Sequence, residues 1–535
     1  MRGTTLAAPH RRRAGVAGGA AALALLALGA QAPAAGANGT SPSPAELAVQ
    51  GLGGERALQN LSAFRLRATG RTFILDEALR PGNAVNPAST FRLSLDYDLR
   101  ASGDRLRADY VRTSVGTDRR VSEVVVGRRG FITGADANFQ PAGDKPMLSD
   151  RWGAVTREQR LLNPHLYVRE LLSRPRLARA AGTRRIGGRR HHVLVVRGDV
   201  APVRLFVDAR NGRIARLTTT DHNYNRGDVR TVVEYRGWRR ASGGGVWFPR
   251  RVELAQAGRT LHEETRSSIR ANQRIRGARF RFPSGVRATF DRELAERGAK
   301  TTEWLMTFAH LGFIKDGPAN TIVPVEVAPG STLIQGHPNQ SMIVEQQDGI
   351  VVVEAALHDY RGEALIDYVE RRYPGKPIRY ATVGHHHADH GGGLRPFVAL
   401  GARPVLHEAG VAFYQRVFAV RGSRLLPDRL DESDVQANIL PVPATGSVTL
   451  ADPLRPVTVL AERTEHATTT VLHHVPREGV LFVNGDTYTP GGQPGPGARS
   501  LDATIRANNL NVSWIVGGHG GVISYADFQR ALATP

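Results

Sequence analysis

Cysteine is absent from all 535 residues. That absence excludes disulfides, zinc–thiolate sites, thiol nucleophiles and lipidation through a thiol. Any metal site must therefore be built from His, Asp and Glu. Three common catalytic signatures are also missing. There is no Gly-x-Ser-x-Gly nucleophile elbow, no phosphate loop ending in Gly-Lys-Ser/Thr, and no dinucleotide fingerprint between a strand and a helix. Aromatic residues make up only 6%, and no apolar run outside residues 14–30 is long enough to span a bilayer.

What is present starts with charge. The formal net charge is +22, and residues 1–37 hold four arginines and no acid, so the rest of the chain carries about +18. Arg is spread along the chain rather than clustered, which reads as a solvated basic surface. Peripheral association with an anionic membrane surface is the alternative, and no nucleic acid partner is expected for an exported chain. Export is expected from the first forty residues. Arg11, Arg12 and Arg13 precede the Ala/Leu/Gly-rich stretch 14–30, and small residues follow to Ala37. This is the three-part pattern of a cleaved signal peptide, with cleavage near Ala35 or Ala37 and an uncleaved membrane anchor as the alternative. The protein is expected to be periplasmic or secreted.

The remaining length suits two domains. After the signal peptide (1–37) and a linker (38–44), a helix is predicted over 45–61. Strand patterns then run to about residue 272. Alternation is clear in Phe91-Arg92-Leu93-Ser94-Leu95-Asp96-Tyr97, and turns such as Asp208-Ala209-Arg210-Asn211-Gly212 separate the runs. A helix is predicted over 163–172. Residues 45–272 therefore read as a mostly antiparallel β domain. Val207-Asp208-Ala209-Arg210-Asn211-Gly212, Val233-Glu234-Tyr235 and Gly243-Gly244-Gly245-Val246-Trp247-Phe248-Pro249 give its later half a faint resemblance to periplasmic lipoprotein-carrier folds. A connecting segment (273–319) holds a predicted helix over 302–311. From residue 320 strands and helices alternate, the pattern of a layered α/β domain (320–535).

The chemistry lies in His385-His386-His387-Ala388-Asp389-His390, which follows a predicted strand (378–383) and opens toward a helix. Imidazole nitrogens and a carboxylate suit Zn²⁺. His385 and His387 are two apart, so both can face one ion, while Asp389 and His390 face a neighbouring position. Three more candidates stand at later strand ends: His466, Asp486 and His519. They follow His390 at intervals of 76, 20 and 33 residues. Glycines beside Asp486 and His519 permit close backbone approach.

The His-x-His-x-Asp-His motif and the three later positions, in this order, resemble the metallo-β-lactamase superfamily over residues 320–535. The resemblance implies a C-terminal αββα sandwich with two zinc ions at one edge, behind the β domain. His385, His387 and His466 would hold the first ion, Asp389, His390 and His519 the second, and Asp486 would bridge them. It departs from the family at Glu354, where an Asp is usual. That residue normally supports the loop rather than binding metal. His386 is variable in the family and reads as exposed or as supporting the ligands. His473 and His474 lie in a predicted strand, one expected at the surface and one partly buried. His337, in a loop before Pro338-Asn339-Gln340-Ser341, and Tyr488 are candidate substrate contacts.

The expected activity is zinc-dependent hydrolysis of a small-molecule ester, thioester, amide or lactam by a metal-bridging hydroxide, with Asp389 as the catalytic residue that orients it. β-Lactam hydrolysis itself is not favoured, because a bridging Asp486 looks more like the thioester- and phosphoester-cleaving relatives. Two alternatives stand beside this reading. One is an iron-dependent sulfur or redox enzyme on the same fold. The other is a lipid- or apolar-ligand-binding protein in which the metal domain is secondary.

Overall fold

The computed structural model describes residues 42–82, 84–100, 105–114, 116–135, 142–198, 200–311 and 321–533, with backbone only at 307–311. The signal peptide expected over 1–37 lies outside the described residues. Among the described residues no helix is long and apolar enough to cross a membrane.

The single helix predicted over 45–61 is two helices, Pro44–Gly51 and Glu55–Gln59. Gly53 and Gly54 between them take φ of 122° and 90°, a region open to glycine and closed to a continuing helix. Ser43 starts the first helix in a reciprocal capping box with Glu46.

Thirteen strands then form one wholly antiparallel sheet. Its middle is Arg259–Ala271, flanked by Ala63–Leu75 on one side and Arg251–Gln256 on the other. Strand Arg105–Ser114 is buried at every second residue, as the period of two requires when one face meets a core. That core gathers Phe64, Tyr97, Leu217 and Leu254 from the sheet with Leu161, Leu162 and Tyr167 from two helices, and Trp304, Leu305 and Met306 from a third. The helices are Ser149–Leu162, His165–Ser173 and Thr302–Leu311.

The first of these helices has no counterpart among the sequence expectations. Its polar residues face inward: Arg151 is fully buried and donates to Glu123 at 2.5 and 3.0 Å. An apolar period cannot register a helix whose buried side is charged. It packs on helix Arg292–Lys300 through two glycines. A Cβ at Gly153 would meet the Ala295 carbonyl oxygen at 2.0 Å, and one at Gly298 would meet that of Asp150 at 1.8 Å. The segment joining the two expected domains thus packs with the β domain.

From Val323 the chain builds two facing sheets. The first has seven strands, beginning with the antiparallel run Val323–Ala328, Ser331–Gln335, Ser341–Glu345, Ile350–Val353. It continues in parallel through Ile378–Thr382, Arg403–His407 and Leu440–Val442. The second has six strands, in the order Ser447–Leu450, Val457–Ala461, Val471–Val475, Val480–Val483, Trp514–Gly517, Val522–Ser524. Their central strands, such as Ile350–Val353 and Val480–Val483, are apolar on both faces because both faces are covered. Val351 and Val353 join Val480 and Phe482 between the sheets. Ile350 and Val352 turn outward to Leu365, Ile366 and Phe397, and Leu481 and Val483 turn outward to Leu501 and Phe528. The result is the four-layered αββα sandwich.

The two domains touch at named contacts. Tyr224 of the β domain sets its ring 4.8 Å from that of His358 and 5.0 Å from Trp304. Asp228 accepts from the Arg424 and Leu425 amides at 2.8 and 3.3 Å.

Candidate metal centre

Strands Ile378–Thr382, Val480–Val483 and Trp514–Gly517 run toward the same edge of the sandwich. The loops after them carry His385–His390, Asp486 and His519. The loop between Val457–Ala461 and Val471–Val475 brings His466, and the Val471 amide donates to the Gly384 carbonyl at 2.8 Å, tying that loop to the histidine run. Asp389 and His390 are carried on a single short turn of helix, Ala388–Gly391.

Donor atoms of these residues fall into overlapping groups, each within 4.8 Å: His385, His387 and His466; His385, His390 and Asp486; Asp389, His390 and His519. Asp486 Oδ2 is common ground. It lies 3.0 Å from His390 Nε2, 3.5 Å from His466 Nε2 and 3.7 Å from His385 Nε2. Two ligand atoms bound at about 2.0–2.1 Å with a tetrahedral angle between them lie about 3.3–3.4 Å apart, so these separations are those of atoms sharing cations.

Hydrogen bonds fix which ring nitrogen faces the group. A carbonyl or carboxylate oxygen only accepts, so a nitrogen bonded to one must carry the proton. His519 Nδ1 donates to the Pro338 carbonyl at 2.8 Å, leaving Nε2 as its lone-pair atom. His387 Nε2 donates to the Ala78 carbonyl at 3.1 Å, leaving Nδ1. His390 Nδ1 bonds Glu354 Oε1, leaving Nε2. Outer hydrogen bonds of this kind orient metal-binding histidines. His385 is the exception that matters most: it is fully buried, and neither ring nitrogen has a hydrogen-bond partner. A buried imidazole left that way is costly unless something else binds its lone pair. The donor set therefore fits a cation.

The electrostatics agree at His385, His387 and Asp486 and run the other way at His390. Burial, with His390 and His387 nearby, pushes His385 well below its ordinary value. Burial and His466 push His387 down to about 4. Burial acts to raise Asp486, but its hydrogen bond to His390 and the neighbouring His466 and His519 outweigh it and hold the carboxyl well below the usual range. Neutral imidazoles and an ionised carboxylate are the forms that bind metal. Burial acts to lower His390, and Glu354, Asp389 and Asp486 outweigh it and hold the ring well above its ordinary value.

The remaining sequence candidates divide. Glu354 is fully buried beneath His390 at φ 67°, its amide on Thr382 Oγ1 at 3.2 Å and its carbonyl on Ser341 Oγ at 2.7 Å. His386 is buried, with Nδ1 2.7 Å from Thr469 Oγ1, so it locks the His466 loop. The His337 loop overhangs the centre: Asn339 Nδ2 donates to Asp389 Oδ2 at 3.2 Å and to its carbonyl at 3.1 Å, while the His337 Nδ1 accepts from the Asn339 amide at 3.1 Å. Tyr488 is 4% exposed and packs on Phe528 in the outer apolar layer. The expectation for His473 and His474 is corrected, since both are buried. His473 follows Val471 on the face between the sheets, and His474 gives Nε2 to the Asn511 carbonyl at 2.8 Å. A strand covered on both faces has no surface side for either.

Sequence reasoning missed Asn339, Thr469 and, above all, residues 76–79 of the β domain, which reach His387. The first two are short hydrogen-bonding residues in loops beside the motif. Residues 76–79 carry no motif at all.

The C-terminal domain is thus an αββα sandwich with a His/Asp cluster at the ends of its strands. Residues 334–519 match the model of the metallo-beta-lactamase superfamily, and that domain has its fold. No curated protein matches the chain. Among solved structures, a metallo-beta-lactamase from Pontibacter korlensis is 12% identical over 40% of this chain and 98% of its own, with a TM-score of 0.32. The metallo-beta-lactamase FIM-1 from Pseudomonas aeruginosa, in a mono-zinc form, is 17% identical over 41% of this chain and 94% of its own, with a TM-score of 0.31. The Flv1 flavodiiron core from Synechocystis sp. PCC6803 is 13% identical over 40% of this chain and 61% of its own, also at 0.31.

Proposed function

We propose that this protein is a metal-dependent hydrolase that holds two divalent ions, zinc by its donor chemistry. His385, His387 and His466 would hold one ion, Asp389, His390 and His519 the other, and Asp486 would lie between them. The observation that carries this reading is His385, buried without a hydrogen bond among the described residues and grouped with four other donors, His387, His466, His390 and Asp486. Nitrogen and oxygen donors without thiolate suit zinc.

When bound, such ions acidify water and stabilise charge developing on a carbonyl. The chain's own residues do the rest. Glu354, Pro338 and Ala78 keep the protons of His390, His519 and His387 on the outer nitrogens. Asn339 fixes Asp389, whose Oδ2 stands 3.7 Å from His390 Nε2, where the carboxylate can accept a proton from a reacting water. The substrate is an ester, thioester, amide or lactam, and the loop at His337–Gln340 would meet it.

The test is elemental analysis of the purified full chain, with hydrolysis of a panel of esters, thioesters, amides and lactams before and after chelation. Two equivalents of zinc and activity that is lost on chelation and restored by zinc are expected. Full activity in demonstrably metal-free protein would refute the proposal. Stoichiometric iron without hydrolysis would replace it with redox chemistry.

A further inference from the structure

The β domain reaches into the centre through the strap that follows strand Ala63–Leu75. Asp76 turns the chain with φ 61°, and its carboxylate is held by Arg226 Nη2 at 2.5 Å. The same Nη2 donates to the Gly82 carbonyl at 3.3 Å, so one guanidinium clasps both ends of the strap. Asn86 Nδ2 holds the Glu77 carbonyl at 2.8 Å. Three bonds then seat the strap on the two ligand loops. His387 Nε2 donates to the Ala78 carbonyl at 3.1 Å, the Ala388 amide donates to Glu77 Oε1 at 3.1 Å, and the Thr468 amide donates to the Leu79 carbonyl at 2.8 Å.

The other oxygen of Glu77 faces a lone pair. His387 spends its proton on Ala78 through Nε2, so Nδ1 is the unprotonated atom, and Glu77 Oε2 lies 3.3 Å from it. His466 Nε2 lies 2.9 Å from the same Nδ1, so a carboxylate oxygen and two imidazole nitrogens crowd one point, an arrangement that a shared proton or a cation between them relieves. Two donors on one tetrahedral ion stand about 3.3–3.4 Å apart, the separation seen here. Donor atoms of Glu77, His387 and Asp389 also lie within 4.8 Å of one another.

We propose that Glu77 is a metal-binding carboxylate supplied by the β domain, completing the coordination of the ion that His387 holds. This rests on the two-ion reading above and extends it. The catalytic centre is then assembled from both domains, and metal retention depends on the strap being docked.

The experiment is chelator competition with zinc alone on the full chain, comparing parent, Glu77→Gln and Glu77→Asp. Gln keeps the size of the side chain and the acceptor for the Ala388 amide, but removes the charge. Glu77→Gln should weaken one of the two zinc sites by about tenfold to a hundredfold, as loss of a ligand-shell group does, and leave the other within about twofold. Glu77→Asp should fall between parent and Gln. The metal-free Glu77→Gln protein should melt within about 1 °C of the metal-free parent, because Gln keeps the acceptor for the Ala388 amide and the strap keeps its backbone hydrogen bonds. Two sites of parental affinity in both variants would overturn the proposal while leaving the two-ion reading intact. A parent that binds no zinc would overturn both.

Discussion

Gly485 offers a direct test of how tightly the second ion's site is built. An ideal Cβ at this position would stand 2.2 Å from His519 Cβ and 2.4 Å from its Cγ and Cδ2. Ordinary contact begins at 3.4 Å, so Gly485→Ala forces a separation of at least about 1.2 Å. The backbone of residue 485 is not in the left-handed region and accepts alanine, so the conflict is with the ring alone. The ring has little freedom to retreat. Its Nδ1 is held by the Pro338 carbonyl, the Gly518 amide by the Val483 carbonyl at 2.8 Å, and the Gly518 and Gly520 carbonyls accept from the Gln340 amide and Nε2 at 2.8 and 2.6 Å. If the chain at 485 yields instead, Asp486 moves. Either way a ligand leaves its place by several times the ~0.2 Å tolerance of a metal–ligand distance. We expect one zinc affinity to fall by about tenfold to a hundredfold, or roughly 1.4–2.7 kcal/mol. Overpacking should cost the metal-free protein about 1–3 kcal/mol. Zinc-to-protein ratios in chelator-buffered dialysis measure the first quantity and urea unfolding of the metal-free chain the second. Two ions held with parental affinity would refute this account of the site.

Burial pushes the Glu462 carboxyl up to about 7, against the Thr487 hydroxyl that donates to it at 3.0 Å. The folded state thus holds the proton more tightly than the unfolded chain, whose value is near 4.5. The contribution of this group to metal-free stability is fully present below pH 4.5 and falls as pH rises to 7, by up to about 3 kcal/mol. Glu462→Gln should flatten that slope in a urea-midpoint series across pH, and a parent whose stability rose more steeply than the variant's over the same window would contradict the sign. Arg151→Met removes the guanidinium paired with Glu123 at 2.5 Å, both side chains being buried. It should cost about 3–5 kcal/mol, with Glu123→Gln added to it restoring part of the loss. A calorimetric change below 1 kcal/mol for the single variant would show the pair to be dispensable.

Much of the C-terminal domain was legible before any coordinates, because its signals are local. Val351-Val352-Val353 and Leu481-Phe482-Val483 read as strands through β-branched and apolar runs, and glycines mark the loops after them. The donors His385, His387, Asp389 and His390 announce themselves by type and spacing within six residues. Elsewhere the local signal fails for identifiable reasons. Helix Ser149–Leu162 buries Arg151 and Glu158, so no apolar stripe marks it. His473 and His474 look like a half-exposed strand until the second sheet and its helices cover both faces.

The metal centre itself divides along the same line. Donor chemistry follows from composition: without a cysteine the thiolate ligands are gone, and the histidines and aspartates at strand ends offer nitrogen and oxygen donors. Which nitrogen of each ring faces that cation follows from acceptors far away in the chain. The Ala78 carbonyl that sets the His387 tautomer is 309 residues from it, and Glu77 is 311 from the amide it caps. A hydrogen bond has no sequence period, and a glutamate among 49 acidic residues has no mark that distinguishes it. Folding, by laying the β-domain strap across the histidine loop, is what brings Glu77 to the centre.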